Sequence, residues 1–182
     1  MIIHNIQEFI VDGLPICIRP AESEDAAALS PLRVQIDGET ENMDREPGEA
    51  FLDVPAFERI IEADAANPRN LFLVAVAGGR IAGYARCEGS DLKRLAHKVE
   101  FGVCVAKEFW GYGIGKQLLM QAIQWADANG IVKMTLQVLE TNEKAIRLYQ
   151  SFGFEIEGVL RKDKLLADGK YYSTLVMGRL RD

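Results

Sequence analysis

The run Val103 to Leu119, VCVAKEFWGYGIGKQLL, carries glycines at 111, 113 and 115 immediately before a segment rich in helix formers. Glycine tolerates positive φ but costs folding entropy, so three in alternation mark an unusual turn or a close approach to the backbone. Upstream, HKVEFGVCVA reads as a strand; downstream, Ile114, Leu118, Ala122 and Ala126 recur at helical spacing until Gly130 closes the helix. A glycine turn from strand to helix aims several backbone N–H groups at one point, beside the positive end of the helix dipole. Such a point binds anions, phosphate above all; the competing reading is that the glycines only permit a tight turn.

Two nucleotide motifs fit badly. A P-loop needs a hydroxyl after its Gly-Lys, and Gly115-Lys116 is followed by Gln117. A dinucleotide fingerprint needs a third glycine, and that position falls on Lys116 or Leu118.

Around this unit the chain alternates between the two periods. LPICIRPAESEDAAALSPLRVQI reads as a strand ending near Arg19, then a helix capped by Ser23 and kinked or restarted at Pro31. DGETENMDREPGEAFLDVPA has little period and reads as a long acidic surface loop. VPAFERIIEADAANP is a helix with Phe57, Ile60 and Ile61 on one face. LFLVAVAGGRIAGYARCEG is a hairpin turning at Gly78-Gly79. In VKMTLQVL the apolar residues Val132, Met134, Leu136 and Val138 alternate as in a strand. TNEKAIRLYQSFGF is a helix capped by Thr141 or Asn142, with Ala145, Leu148, Tyr149 and Phe152 on one face. The remainder forms two strands around Asp168-Gly169. The 182 residues carry no internal repeat and are of one-domain size, so a single domain over 1–182 is expected.

Composition narrows the function. A net charge of −6 argues against a nucleic-acid partner, whose binding rests on Lys and Arg neutralising phosphates. Three scattered cysteines (17, 87, 104) and two histidines (4, 97) spell neither a disulfide framework nor a metal site. The N-terminus lacks a basic leader, and no segment approaches the ~20 apolar residues of a membrane span. These features imply a soluble cytoplasmic protein with no membrane partner.

Trp110-Gly111-Tyr112-Gly113-Ile114-Gly115 resembles the Gln/Arg-x-x-Gly-x-Gly/Ala signature of the GNAT superfamily of acyl-CoA-dependent N-acetyltransferases. Trp110 stands where that family usually has Gln or Arg, which leaves the pyrophosphate to backbone amides. Asn142, Ala145, Leu148, Tyr149, Gly153 and Phe154 are similar to the family's second segment, Asn-x-x-Ala-x-x-Leu-Tyr-x-x-x-Gly-Phe. The resemblance runs over residues 14 to 180 and is strongest to bacterial small-molecule and ribosomal-protein acetyltransferases. It implies an α/β (α+β) GNAT fold, a mixed, mostly antiparallel sheet of about seven strands flanked by about four helices. It also implies acetyl-CoA as cosubstrate, no metal, and direct attack on the thioester by a primary amine of a small molecule or of a protein N-terminus or lysine.

By the same resemblance, the backbones of Val103 and Val105 pair with the pantetheine arm. An N–H near Cys104 or Val105 faces the thioester carbonyl, and Gly111, Tyr112, Gly113, Ile114, Gly115 and Lys116 hold the pyrophosphate. Asn142 bonds the cofactor's amide arm as well as capping its helix. Tyr149 returns a proton to the leaving thiolate, where spacing alone makes it a core aromatic. Glu100 is the candidate base, the alternative being a solvated strand residue, and His97 is its backup. The acidic loop, Glu39 and Glu41 in particular, is placed to steer a cationic amine. Cys104 reads as a small buried hydrophobe rather than an acyl carrier. A CoA-binding regulator without activity and a nicotinamide dinucleotide binder are the rival readings, and the final hairpin offers edges for a homodimer.

Overall fold

The computed structural model describes residues 6–181. It opens with a hairpin the sequence reading did not anticipate, β1 (Gln7–Val11) and β2 (Leu14–Pro20) around Asp12-Gly13. Both turn residues have positive φ, 50° and 78°, the geometry for which Asp-Gly is favoured.

Helix α1 (Ala26–Glu39) is entered through a short 3-10 turn, Ser23–Asp25, and Ser23 does not cap it. Asp25 organises the entry instead, accepting the Glu22 N–H at 2.8 Å and both ends of the Arg19 guanidinium. The helix runs through Pro31 without a break and takes in Asp37, Gly38 and Glu39, so the acidic loop begins only at Thr40. Helix α2 (Val54–Ala66) starts at Asp53, whose carboxylate accepts the Ala56 N–H at 2.9 Å, with Pro55 in its first turn.

There follow β3 (Leu71–Ala77), β4 (Arg80–Gly89), β5 (Lys98–Val105), α3 (Ile114–Ala128), β6 (Lys133–Leu139), α4 (Glu143–Ser151), β7 (Glu155–Leu165) and β8 (Tyr171–Leu180). The sheet has eight strands in the order β1-β2-β3-β4-β5-β6-β8-β7. It is mixed and mostly antiparallel, as expected, and β1 accounts for the strand beyond seven. Because β8 lies between β6 and β7, only β7 of the last hairpin is an edge. Helices α1 and α2 pack together on one face, where Ile36, Phe57 and Ile61 are buried; α3 covers β3, β4 and β5 with Leu118, Leu119 and Ala122 fully buried. No helix among the described residues is long and apolar enough to cross a membrane.

The feature that positions the site is the one parallel pairing. Strands β5 and β6 are in register only over Lys98–Glu100 and Lys133–Thr135; beyond that they diverge. Strand β5 stays bonded to β4, and β6 to β8, so the sheet is split into a wedge at its centre.

Candidate active site

The alternation of an antiparallel ladder decides which atoms face that wedge. The Ala106 N–H bonds the Ala82 carbonyl at 2.8 Å, so the backbone groups of Gly102 and Cys104 belong to the ladder with β4. Those of Phe101, Val103 and Val105 point the other way, into the gap. Of the two amides considered for the thioester carbonyl, that of Cys104 is thereby turned away, which leaves Val105. The Val105 carbonyl is already taken, by the Trp110 indole N–H at 2.8 Å.

The wedge opens into a cleft of about 300 Å³ that Glu100, Val103, Cys104, Asn142 and Tyr149 all line. Glu100 is exposed and in no ion pair among the described residues, directly across the ladder from Glu88. Tyr149 comes from the other wall, on α4, with its ring 5.8 Å from that of Phe154. Burial pushes its phenol up to about 12, so it carries its proton throughout the neutral range. Burial also pushes the Cys104 thiol up to about 12, which keeps it from being a thiolate nucleophile. Asn142 stands at the N-cap of α4, but its side chain makes no capping bond and is left for the cleft.

At the open end of β5 the chain passes through a 3-10 turn, Lys107–Phe109, into the glycines. Gly111 and Gly113 have φ of 87° and 76°, and a Cβ on either would meet nothing, so the backbone and not the packing calls for glycine there. Gly113 is the N-cap of α3 and no side chain caps the helix. The first amides of α3 are therefore presented outward, the arrangement that binds anions. Ile114 is buried and offers its backbone alone, Tyr112 is half-buried, and Gly115 lies against Val105, with Lys116 exposed beyond it.

Three of the residues singled out in the sequence lie elsewhere. Glu39 is occupied: its carboxylate accepts from Gln35 Nε2 at 2.8 Å and from the Lys107 N–H at 2.7 Å, tying the end of α1 to the turn after β5. Glu41 reaches toward the Ala167 N–H on the last hairpin. His97 is exposed at the closed end of the wedge, where its carbonyl accepts the Val132 N–H. None of the three lines the cleft.

Others were missed. Tyr84, Arg86 and Glu88 line the cleft from alternate positions of β4, and Arg45 and Asp44 from the loop after α1. Arg86 is held by the buried Asp64 through two bonds of 2.8 and 3.1 Å, and Arg45 by the buried Asp37 through two of 3.1 Å. Asp44 pairs with Lys164, joining that loop to β7. The alternation in GYARCEG was a sufficient signal for the β4 face; Arg45 had none.

Residues 39–154 match the Acetyltransferase (GNAT) family. The chain belongs to the GNAT family. Among GNAT proteins it is 27% identical over 167 residues to an L-amino acid N-acetyltransferase of Escherichia coli, covering 91% of this chain and 98% of that one. A GNAT acetyltransferase of Streptococcus pneumoniae superposes with a TM-score of 0.87 at 31% identity, covering 91% and 99%. An acetyltransferase from Salmonella typhimurium, solved with its cofactor acetyl-CoA, shares the GNAT fold with a TM-score of 0.81 at 23% identity, covering 92% and 94%.

Proposed function

We propose that this protein transfers the acetyl group of acetyl-CoA to the primary amine of a small molecule by direct attack. The observation that carries this is the wedge itself. It turns the backbone of Val103 and the N–H of Val105 into the gap, toward the end where the amides of α3 face outward, while Glu100 and Tyr149 border the same cleft from opposite sides.

The chemistry assigns the parts. An amine reaches the cleft as an ammonium and must lose a proton before it can attack; Glu100, unpaired and exposed, accepts it directly or through a water. The nitrogen attacks the thioester carbonyl carbon, and the negative charge that develops on oxygen is met by the Val105 N–H. The C–S bond then breaks and the thiolate takes a proton from Tyr149, whose phenol is protonated at neutral pH, while the second proton shed by the nitrogen restores that phenol, leaving the amide and the CoA thiol. The pyrophosphate rests on the amides of residues 113–116 with the Lys116 ammonium beside it, and Asn142 bonds the amide arm. Cys104, its thiol protonated, forms no acyl intermediate.

Calorimetry of acetyl-CoA binding beside NAD, followed by an assay of CoA release with primary amines, tests the reading. Binding of acetyl-CoA alone with amine-dependent release supports it; binding without release for any amine leaves a CoA-binding regulator.

A further inference from the structure

The acceptor half of the cleft is chemically polarised. Its floor is three cross-strand pairs on one face of β4 and β5: Glu88 opposite Glu100, Arg86 opposite Gly102, and Tyr84 opposite Cys104. Successive pairs on one face lie about 7 Å apart along the strands. One end therefore carries two carboxylates, Glu88 in an ion pair with Arg86 and Glu100 in none among the described residues.

Toward the other end the guanidinium of Arg45 lines the cleft, paired with the buried Asp37. Arg45 and Arg86 each bind their aspartate through Nε and Nη2, which leaves both Nη1 groups without a protein acceptor among the described residues. Each Nη1 carries N–H donors that a bound carboxylate can accept.

Between the two ends the floor is missing a side chain. Gly102 has no positive φ to require glycine, and a Cβ on it would meet nothing within 4 Å. Neither backbone nor packing explains the residue. It opens the floor one pair beyond the last β5–β6 contact, at the mouth of the wedge.

We propose that the acceptor is a zwitterion of the α-amino acid class, its ammonium lying over Gly102 toward Glu100 and Glu88, and its carboxylate held by Arg45 and Arg86. This rests on the acetyl-transfer reading and narrows its acceptor. Neither a polyamine nor a peptide N-terminus would bring a carboxylate to those Nη1 donors.

The test is CoA release by the full-length protein with free L-amino acids and with the matching L-amino acid amides, beside spermidine and an alanyl peptide. An amide's amine loses its proton more readily than that of the free acid, so intrinsic reactivity favours the amide. The expected result is the reverse, kcat/KM for the acid exceeding that for the amide by roughly tenfold or more. Arg45→Lys, which keeps Asp37 neutralised, is expected to raise KM for the acid several-fold and leave that for the amide unchanged. Equal or better use of the amides overturns the proposal, as does turnover of spermidine or the peptide alone, with the transfer reading intact. Binding of acetyl-CoA without turnover of any of these amines overturns both.

Discussion

The indole N–H of Trp110 closes onto the carbonyl of Val105 at 2.8 Å, so the residue standing at the usual Gln/Arg position of the glycine signature braces the end of β5. The bond joins the strand that borders the wedge to the loop that holds the helix N-terminus. Its role is to fix the distance between two parts of one binding surface.

Trp110→Phe keeps an aromatic ring and removes the donor. Trp110 is 47% exposed, so water can reach the freed carbonyl and the stability loss should stay within about 1 kcal/mol. Acetyl-CoA affinity, measured by calorimetry, is expected to fall several-fold because the glycine loop loses its brace. Unchanged affinity would remove the bracing role.

Tyr149→Phe retains the ring packed on Phe154 and deletes the acid. A fall in kcat of roughly 10²-fold is expected, with little change in acetyl-CoA affinity. The phenol's ordinary value of 10.0 is raised to about 12 on folding. The folded state therefore holds that proton more tightly than the unfolded chain, and its contribution to stability, complete below pH 10, declines as pH rises toward 12. Alkaline unfolding of Tyr149→Phe should lack this component; the difference between the two unfolding curves above pH 10 measures it.

Glu100→Gln is isosteric, and the carboxylate it replaces is exposed and in no ion pair. The melting temperature should be unchanged while kcat/KM for the amine drops by roughly 10²-fold. A variant with full turnover would pass the base role to water or another acid.

Gly113→Glu places a side chain on a residue at φ 76° and a carboxylate in front of the α3 amides. The left-handed conformation costs a non-glycine residue roughly 1 kcal/mol, small enough for the protein to remain folded. Acetyl-CoA binding is expected to disappear from the calorimetric trace. Retained binding would mean that the pyrophosphate lies elsewhere.

Much of this was readable along the chain because it depends on neighbours in sequence. The helix over Phe57, Ile60 and Ile61, the Gly78-Gly79 turn and the strand alternating at Met134, Leu136 and Val138 are short-range signals, and each appears as read. Where a local signal was overlooked, as with Asp12-Gly13, the sheet gained a strand. Where another local contact prevailed, as where Asp25 and not Ser23 takes the Glu22 N–H, and where α1 carries Pro31 inside it, the reading went wrong.

Most elements, their order and the glycine entry to α3 were legible along the chain, because periodicity, capping and backbone conformation act over a few residues. That β5 and β6 part after Glu100, that Glu39 is engaged by Lys107, and that Arg45 and Arg86 line one cleft was not. Those relations join residues tens of positions apart, and their geometry follows from which strands pair and where pairing stops.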